Sequence, residues 1–252
     1  MANPALTRSF KPVLGNGGYQ SPNMVDAPSM TLGGTINKAF LMLGIVVVTA
    51  LVTAFITINA AQTNPDIFNT VMMIAVVSSL AALGLAFWVS LSKTVQVAGM
   101  IAYALLEGIV VGVLTLIFES MYPGIAMQAV FATFATAGVM FAAWKFGWIK
   151  VTDRFMKFLM IGLFAYLGLS LLNLVGSFIF GWNVYGSQFG WIAGLVGCTL
   201  AALSLAADFQ IIKMGIDNKA PAEYEWRGAF GLTVTLIWLY LEILRLLGIA
   251  RR

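Results

Sequence analysis

Four ionisable side chains sit inside otherwise apolar runs of this sequence: Glu107, Asp208, Glu242 and Arg245. At the centre of a membrane helix each costs about 2.5–3.5 kcal/mol on insertion scales, so each needs a partner, a water or a purpose. At 1.5 Å per residue, Asp208 lies about 7 Å from the boundary rich in Lys and Arg, Glu107 about 15 Å and Glu242 about 22 Å. The three acids thus form a ladder on three helices. In hydrocarbon a carboxyl group away from cations is easier to keep protonated than ionised. The chemistry expected of such a ladder is a polar path for a proton or cation, gated by carboxylates. Rungs about 7–8 Å apart in depth cannot bond directly, so water or helix movement must fill the steps. Glu242 and Arg245 also stand three apart on one helix face, where they can neutralise each other as an ion pair, structural or part of the gate. Asp208 is near enough to the boundary to be hydrated or to meet Lys213.

Other chemistry is missing. The 252 residues contain no histidine, which removes the commonest general base, metal ligand and neutral-pH switch. A serine protease of rhomboid type and an HExxH metalloprotease therefore have no counterpart here. The YD and GxGD contexts of intramembrane aspartyl proteases are absent, as is a phosphate-cradling glycine loop. No lysine in the last apolar run could hold retinal. The lone Cys198, among small and apolar neighbours, reads as packing. The expectation is a protein that is not an enzyme and has no cofactor, with calcium as a possible bound or transported ion.

The elements that position these residues follow from composition. The chain is 60% hydrophobic and 10% charged, against about 25% charged in soluble domains. Residues 1–34, rich in Gly, Pro, Asn and Ser, read as a flexible cytoplasmic tail, and 35–252 as the transmembrane domain. A cleavable signal peptide fits poorly, since the first apolar run starts only near Ala39. Seven runs, at about 39–58, 67–91, 96–118, 124–144, 156–180, 190–212 and 227–248, are each long enough to cross about 30 Å of hydrocarbon. Lipid offers backbone amides no partners, so the runs must be helices, and the fold class is all-α, a polytopic membrane protein of about seven spans. Pro65 and Pro123 stand just before or at helix starts. Gly108 and Gly112, and Gly190, Gly194 and Gly197, mark close helix contacts. Trp144, Trp148, Trp182 and Trp191 suit an interfacial belt.

Arg8, Lys11 and Lys38, then Lys93, then Lys145, Lys150, Arg154 and Lys157, then Lys213, Lys219 and Arg227 lie in the tail and alternate links, and the intervening links hold none. The bias places the N-terminus in the cytoplasm and the C-terminus outside, with Arg251 and Arg252 as dissenting votes that leave room for a last helix that does not fully cross. Net charge is +4, but the cations mark topology and form no face with stacking aromatics, which argues against nucleic acid. The expected partners are the lipid bilayer and cations, with any protein partner unknown.

Three stretches, Ala102–Gly112 (AYALLEGIVVG), Tyr122–Phe134 (YPGIAMQAVFATF) and Asp208–Gly248 with its EWRGAFGLTVTLIWLYLEILRLLG ending, resemble the bacterial branch of the Bax inhibitor family. The resemblance covers roughly 38–248. It implies two three-helix layers around a central last helix, a place in the bacterial inner membrane, and a pH-sensitive calcium leak. It also implies a proton-sensing pair of aspartates on the sixth and seventh helices. Asp208 matches the first, which would make it a calcium contact. For the second, the local string Leu239–Glu242 (LYLE) resembles the family's LYLD and points to Glu242, whereas anchoring on Leu244–Gly248 points to Thr235. Depth favours Thr235, about 12 Å in; Glu107 would then supply the second carboxylate. One aspartate is thin provision for calcium, which takes six to eight oxygens. The leading reading is a cation leak with a carboxylate gate. Beside it stand a proton- or sodium-coupled secondary transporter, disfavoured because no helix has a central proline, and a regulatory membrane protein whose tail binds a partner.

Overall fold

The computed structural model describes residues 28–63, 67–181 and 190–251. Pro65, Trp182, Arg8, Lys11 and Arg252, and most of the expected tail, lie outside them. Seven helices follow in order: α1 (Leu32–Thr63), α2 (Ile67–Leu91), α3 (Val97–Met121), α4 (Ile125–Lys145), α5 (Asp153–Phe180), α6 (Gly190–Asp217) and α7 (Tyr224–Ala250). All seven are long and apolar enough to cross a membrane. Among the described residues there is no strand, only an isolated antiparallel bridge between Ser29 and Pro221. The protein is therefore an all-α polytopic membrane protein. The helices outrun the apolar runs at most ends. α1 starts at Leu32, well before Ala39, because Thr31 caps it: its Oγ1 accepts the Gly34 amide at 3.0 Å.

The helices differ in how much surface they give to lipid. α1, α2, α4 and α5 bury less than a quarter of their spans and expose large apolar side chains, including Phe55, Leu80, Phe131 and Leu172. Half or more of the spans of α6 and α7 is buried. Lipid tails are as apolar as leucine, so no hydrophobic force drives such helices together. Close packing and polar contacts must do it.

The chain divides into two compact units. One is formed by the described residues of Met121–Gln210 and Val234–Arg252, the other by those of Pro4–Ser120 and Ile211–Thr233. α6 and α7 contribute residues to both. In the second unit α1 and α3 pack backbone to backbone: a Cβ on Gly112 would stand 2.6 Å from the Ala50 carbonyl oxygen, and one on Gly108 2.8 Å from that of Val46. These two glycines are thus the packing residues their spacing suggests. In the first unit Gly162 of α5 admits Leu200 of α6, and Gly194 of α6 faces Leu246 of α7.

Candidate functional site

Asp208 belongs to the first unit, in a stretch of α6 where Leu205, Ala206, Ala207 and Phe209 are all buried. Its neighbours fix how that helix is turned. The Phe209 ring meets Phe141 of α4 edge-on, centroids 5.1 Å apart, and lies tilted against Trp144 at 5.7 Å. The Trp144 indole N–H donates to Gln210 Oε1 at 3.0 Å. With Phe209 and Gln210 held by α4, Asp208 is 8% exposed, and Thr235 of α7 donates from Oγ1 to Asp208 Oδ2 at 2.6 Å. Of the two registers open in the sequence, Thr235 is the position that reaches Asp208.

Glu242 lies seven residues beyond Thr235, about 10 Å further along α7, and is engaged elsewhere. It is 2% exposed. Its Oε1 accepts from the Tyr166 hydroxyl of α5 at 2.9 Å and from the Trp238 indole at 3.0 Å. Arg245 Nη1 donates to Glu242 Oε2 at 3.1 Å and to the Tyr166 hydroxyl at 3.2 Å. The ion pair expected from the spacing is present. Its setting explains its position: Gly197 of α6 lies so close that a Cβ there would stand 2.6 Å from the Tyr166 hydroxyl oxygen and 2.7 Å from the Glu242 carboxyl. Glu242 and Asp208 are therefore separate centres with separate partners. Three donor groups on one buried carboxylate satisfy it and tie α5 to α7.

Glu107 belongs to the second unit and is half-buried on α3, one turn beyond Tyr103, whose ring packs edge-on against Phe230 at 5.1 Å. Among the described residues it makes no hydrogen bond or ion pair.

That second unit also holds a polar centre that no sequence argument singled out. Glu225, in the first turn of α7, accepts from the Thr31 amide and hydroxyl, both at 2.8 Å, and pairs with Lys38 at 2.6 Å. The Lys38 ammonium sits 5.5 Å from the Trp226 ring centroid. Arg227 donates to the carbonyls of Ser92 and Thr94 at 2.6 and 2.7 Å, closing the end of α2. Gly34 is required here, since a side chain on it would meet the Glu225 carboxylate. Residues 28–31 are stitched to the link between α6 and α7 by Met30 N–H to Ala220 O at 2.7 Å and Ala222 N–H to Pro28 O at 2.9 Å. The string Glu225-Trp226-Arg227 was visible as part of a resemblance. Its contacts reach back almost 200 residues, which no local pattern reveals. Tyr166, 76 residues from Glu242, was missed for the same reason, although a tyrosine within an apolar run has to place its hydroxyl somewhere. Trp238, four residues before Glu242 on one helix face, was missed although its spacing carried the signal.

Among the described residues no group of three or more His, Cys, Asp or Glu could hold a metal ion. Asp208 and Thr235 together offer far fewer oxygens than calcium's six to eight.

No curated protein matches the chain. Its sequence matches the family described as Bax inhibitor 1 like over residues 3–252, nearly the whole length. With seven candidate spans and a match of that extent, the chain belongs to the Bax inhibitor 1-like family of polytopic membrane proteins.

Proposed function

We propose that the protein is a cation leak of the bacterial branch of this family, resident in the inner membrane with its N-terminus in the cytoplasm, and that Asp208 and Thr235 form its gate. Calcium is the permeant ion of this reading, written as cargo rather than cofactor. The observation that carries it is the commitment of the Thr235 hydroxyl to a buried aspartate. An ionised carboxylate only accepts hydrogen bonds, whereas a protonated one can also donate. Gain of a proton at Asp208 therefore lets the bond between α6 and α7 reverse, with Asp208 donating and the Thr235 hydroxyl turning its own proton away. Thr235 takes the place at which the family resemblance would put a second aspartate. A hydroxyl there cannot share a proton between two acids, so the gate rests on one titrating group. Glu107, half-buried in the other unit, is the candidate for a second. Glu242 and Arg245 hold α5 to α7 and take no part in this scheme.

Ion flux into liposomes carrying the purified protein tests the reading, with calcium against sodium at pH 6 and pH 8. Calcium flux that differs between the two pH values, and loses that difference in Asp208→Asn, is the expected result. Absence of protein-dependent flux in every condition removes the leak. Flux that keeps its pH response in Asp208→Asn and loses it in Glu107→Gln moves the gate to α3.

A further inference from the structure

We propose that the link between α4 and α5 is a binding site for anionic phospholipid headgroups. The argument begins with unpaired charge. Lys145, Lys150, Arg154 and Lys157 fall within a short stretch and are all exposed, with Asp153 as the one acid among them. Asp153 lies in the first turn of α5, where the helix dipole already favours it. Three cations elsewhere in the protein are occupied, Lys38 by Glu225, Arg227 by two carbonyls and Arg245 by Glu242. Among the described residues none of the four link cations has an ion-pair partner. Three net positive charges so close together repel one another unless an anion joins them.

The second observation is what lies between them. Phe146 and Trp148 are 68% and 78% exposed, with ring centroids 6.1 Å apart. They are held outward by a tightly bonded turn. Trp148 and Ile149 both donate their amides to Ala143 O, at 2.9 and 3.1 Å, and Gly147 takes φ +74, a conformation that residues with side chains rarely adopt. Thr152 then caps α5 by accepting the Phe155 amide. The link is thus a built element presenting two rings and four cations. It joins two candidate membrane spans, so it sits where the bilayer meets water. Aromatic rings prefer that depth, and the cations beside them stand at the level of phosphate. A headgroup with net negative charge satisfies both, and a zwitterionic one does not.

The test uses the full chain in bilayers of phosphatidylcholine doped with spin-labelled phosphatidylglycerol or spin-labelled phosphatidylcholine, reading the fraction of each lipid held at the protein surface. A cation at the headgroup is worth about fivefold in preference. The unmodified chain is expected to favour phosphatidylglycerol, and K150Q/R154Q/K157Q to lower that preference by about fivefold or more. K93Q/K213Q/K219Q, which removes the same charge from exposed lysines elsewhere, is expected to keep it. Lack of preference in the unmodified chain, its survival in the link variant, or its equal loss in both triples overturns the proposal. A second measurement guards against a link variant that fails to fold. Brominated phosphatidylglycerol should quench the fluorescence that Trp148→Phe removes more strongly than brominated phosphatidylcholine does; equal quenching also overturns the site.

Discussion

The hydroxyl of Thr235 donates to the Asp208 carboxylate at 2.6 Å, and this departs from what six other helical hydroxyls among the described residues do. Thr35, Thr57, Thr133, Thr199, Ser204 and Thr233 all donate to the backbone carbonyl four residues earlier on their own helix. A hydroxyl has a single proton to give. Thr233, two residues away, spends its proton locally on Ala229, while Thr235 joins α7 to α6. The two helices with the most enclosed spans are thereby linked through a group that can change its protonation.

Removal of that donor gives the first prediction. Thr235→Val keeps the shape of the side chain and leaves Asp208 buried without its partner. The cost should be about 1–2 kcal/mol, read as a lowered midpoint of unfolding in detergent. Thr235→Ser restores the donor and should recover most of the loss. Unfolding of the valine variant that coincides with the unmodified chain would show that the contact contributes nothing to stability.

The Glu242 centre predicts strong coupling. Arg245 is partly exposed, and Tyr166 and Trp238 continue to donate when it is lost, so Arg245→Gln should cost only about 1–2 kcal/mol. Glu242→Leu strands an indole N–H and a hydroxyl in an apolar setting and should cost more, about 2–4 kcal/mol. In the double variant R245Q/E242L the arginine has already lost its partner, so the two costs should fall short of their sum by about 1 kcal/mol. Simple additivity in a double-mutant cycle would contradict the coupling.

Space at Gly197 is the third. A methyl group there meets the Tyr166 hydroxyl and the Glu242 carboxyl at once. Gly197→Ala should therefore destabilise by about 1–3 kcal/mol, although alanine is the better helix former. Tyr166→Phe in the same chain frees one of the two crowded positions and should recover part of the loss. A stabilised Gly197→Ala variant would mean that the helices are not this close.

How far the sequence reveals these centres depends on the range of the interaction. The seven helices are legible because each is a continuous apolar run, a property of neighbours along the chain. The Glu242–Arg245 pair is legible because three residues place two side chains on one helix face. Gly108 and Gly112 announce a close contact by their spacing, though Val46 and Ala50 as the partners do not follow from it. The partners of Asp208 were left open between Thr235 and Glu242, since helix depth alone fixes neither rotation nor register. Trp238 stands four residues before Glu242 on the same face, a spacing as legible as that of Arg245, whereas Tyr166 and Glu225 carry no local signal at all. Their roles arise from residues 76 and 194 positions away, brought together only by the fold.

The remaining prediction concerns the clasp at the start of α7. Glu225 accepts from the Thr31 amide and hydroxyl and from Lys38, and residues 28–31 follow it by pairing with the link before α7. Neutralising the carboxylate removes a charge-assisted bond of 2.6 Å and weakens two others. Opening of the paired segment should then become easier by about 1–2 kcal/mol, which is about five- to thirtyfold in the hydrogen exchange of the Met30 and Ala222 amides. Glu225→Gln is the variant to use, with Asp217→Asn, an exposed acid on α6, as the control. Exchange should rise at these two amides and stay unchanged in the helix interiors of α3 and α6, because the clasp acts on an edge of the unit and not on its packed glycine contacts. A uniform rise across all helices would instead make Glu225 part of global stability, and no rise at Met30 would mean that the backbone pairing holds the segment by itself.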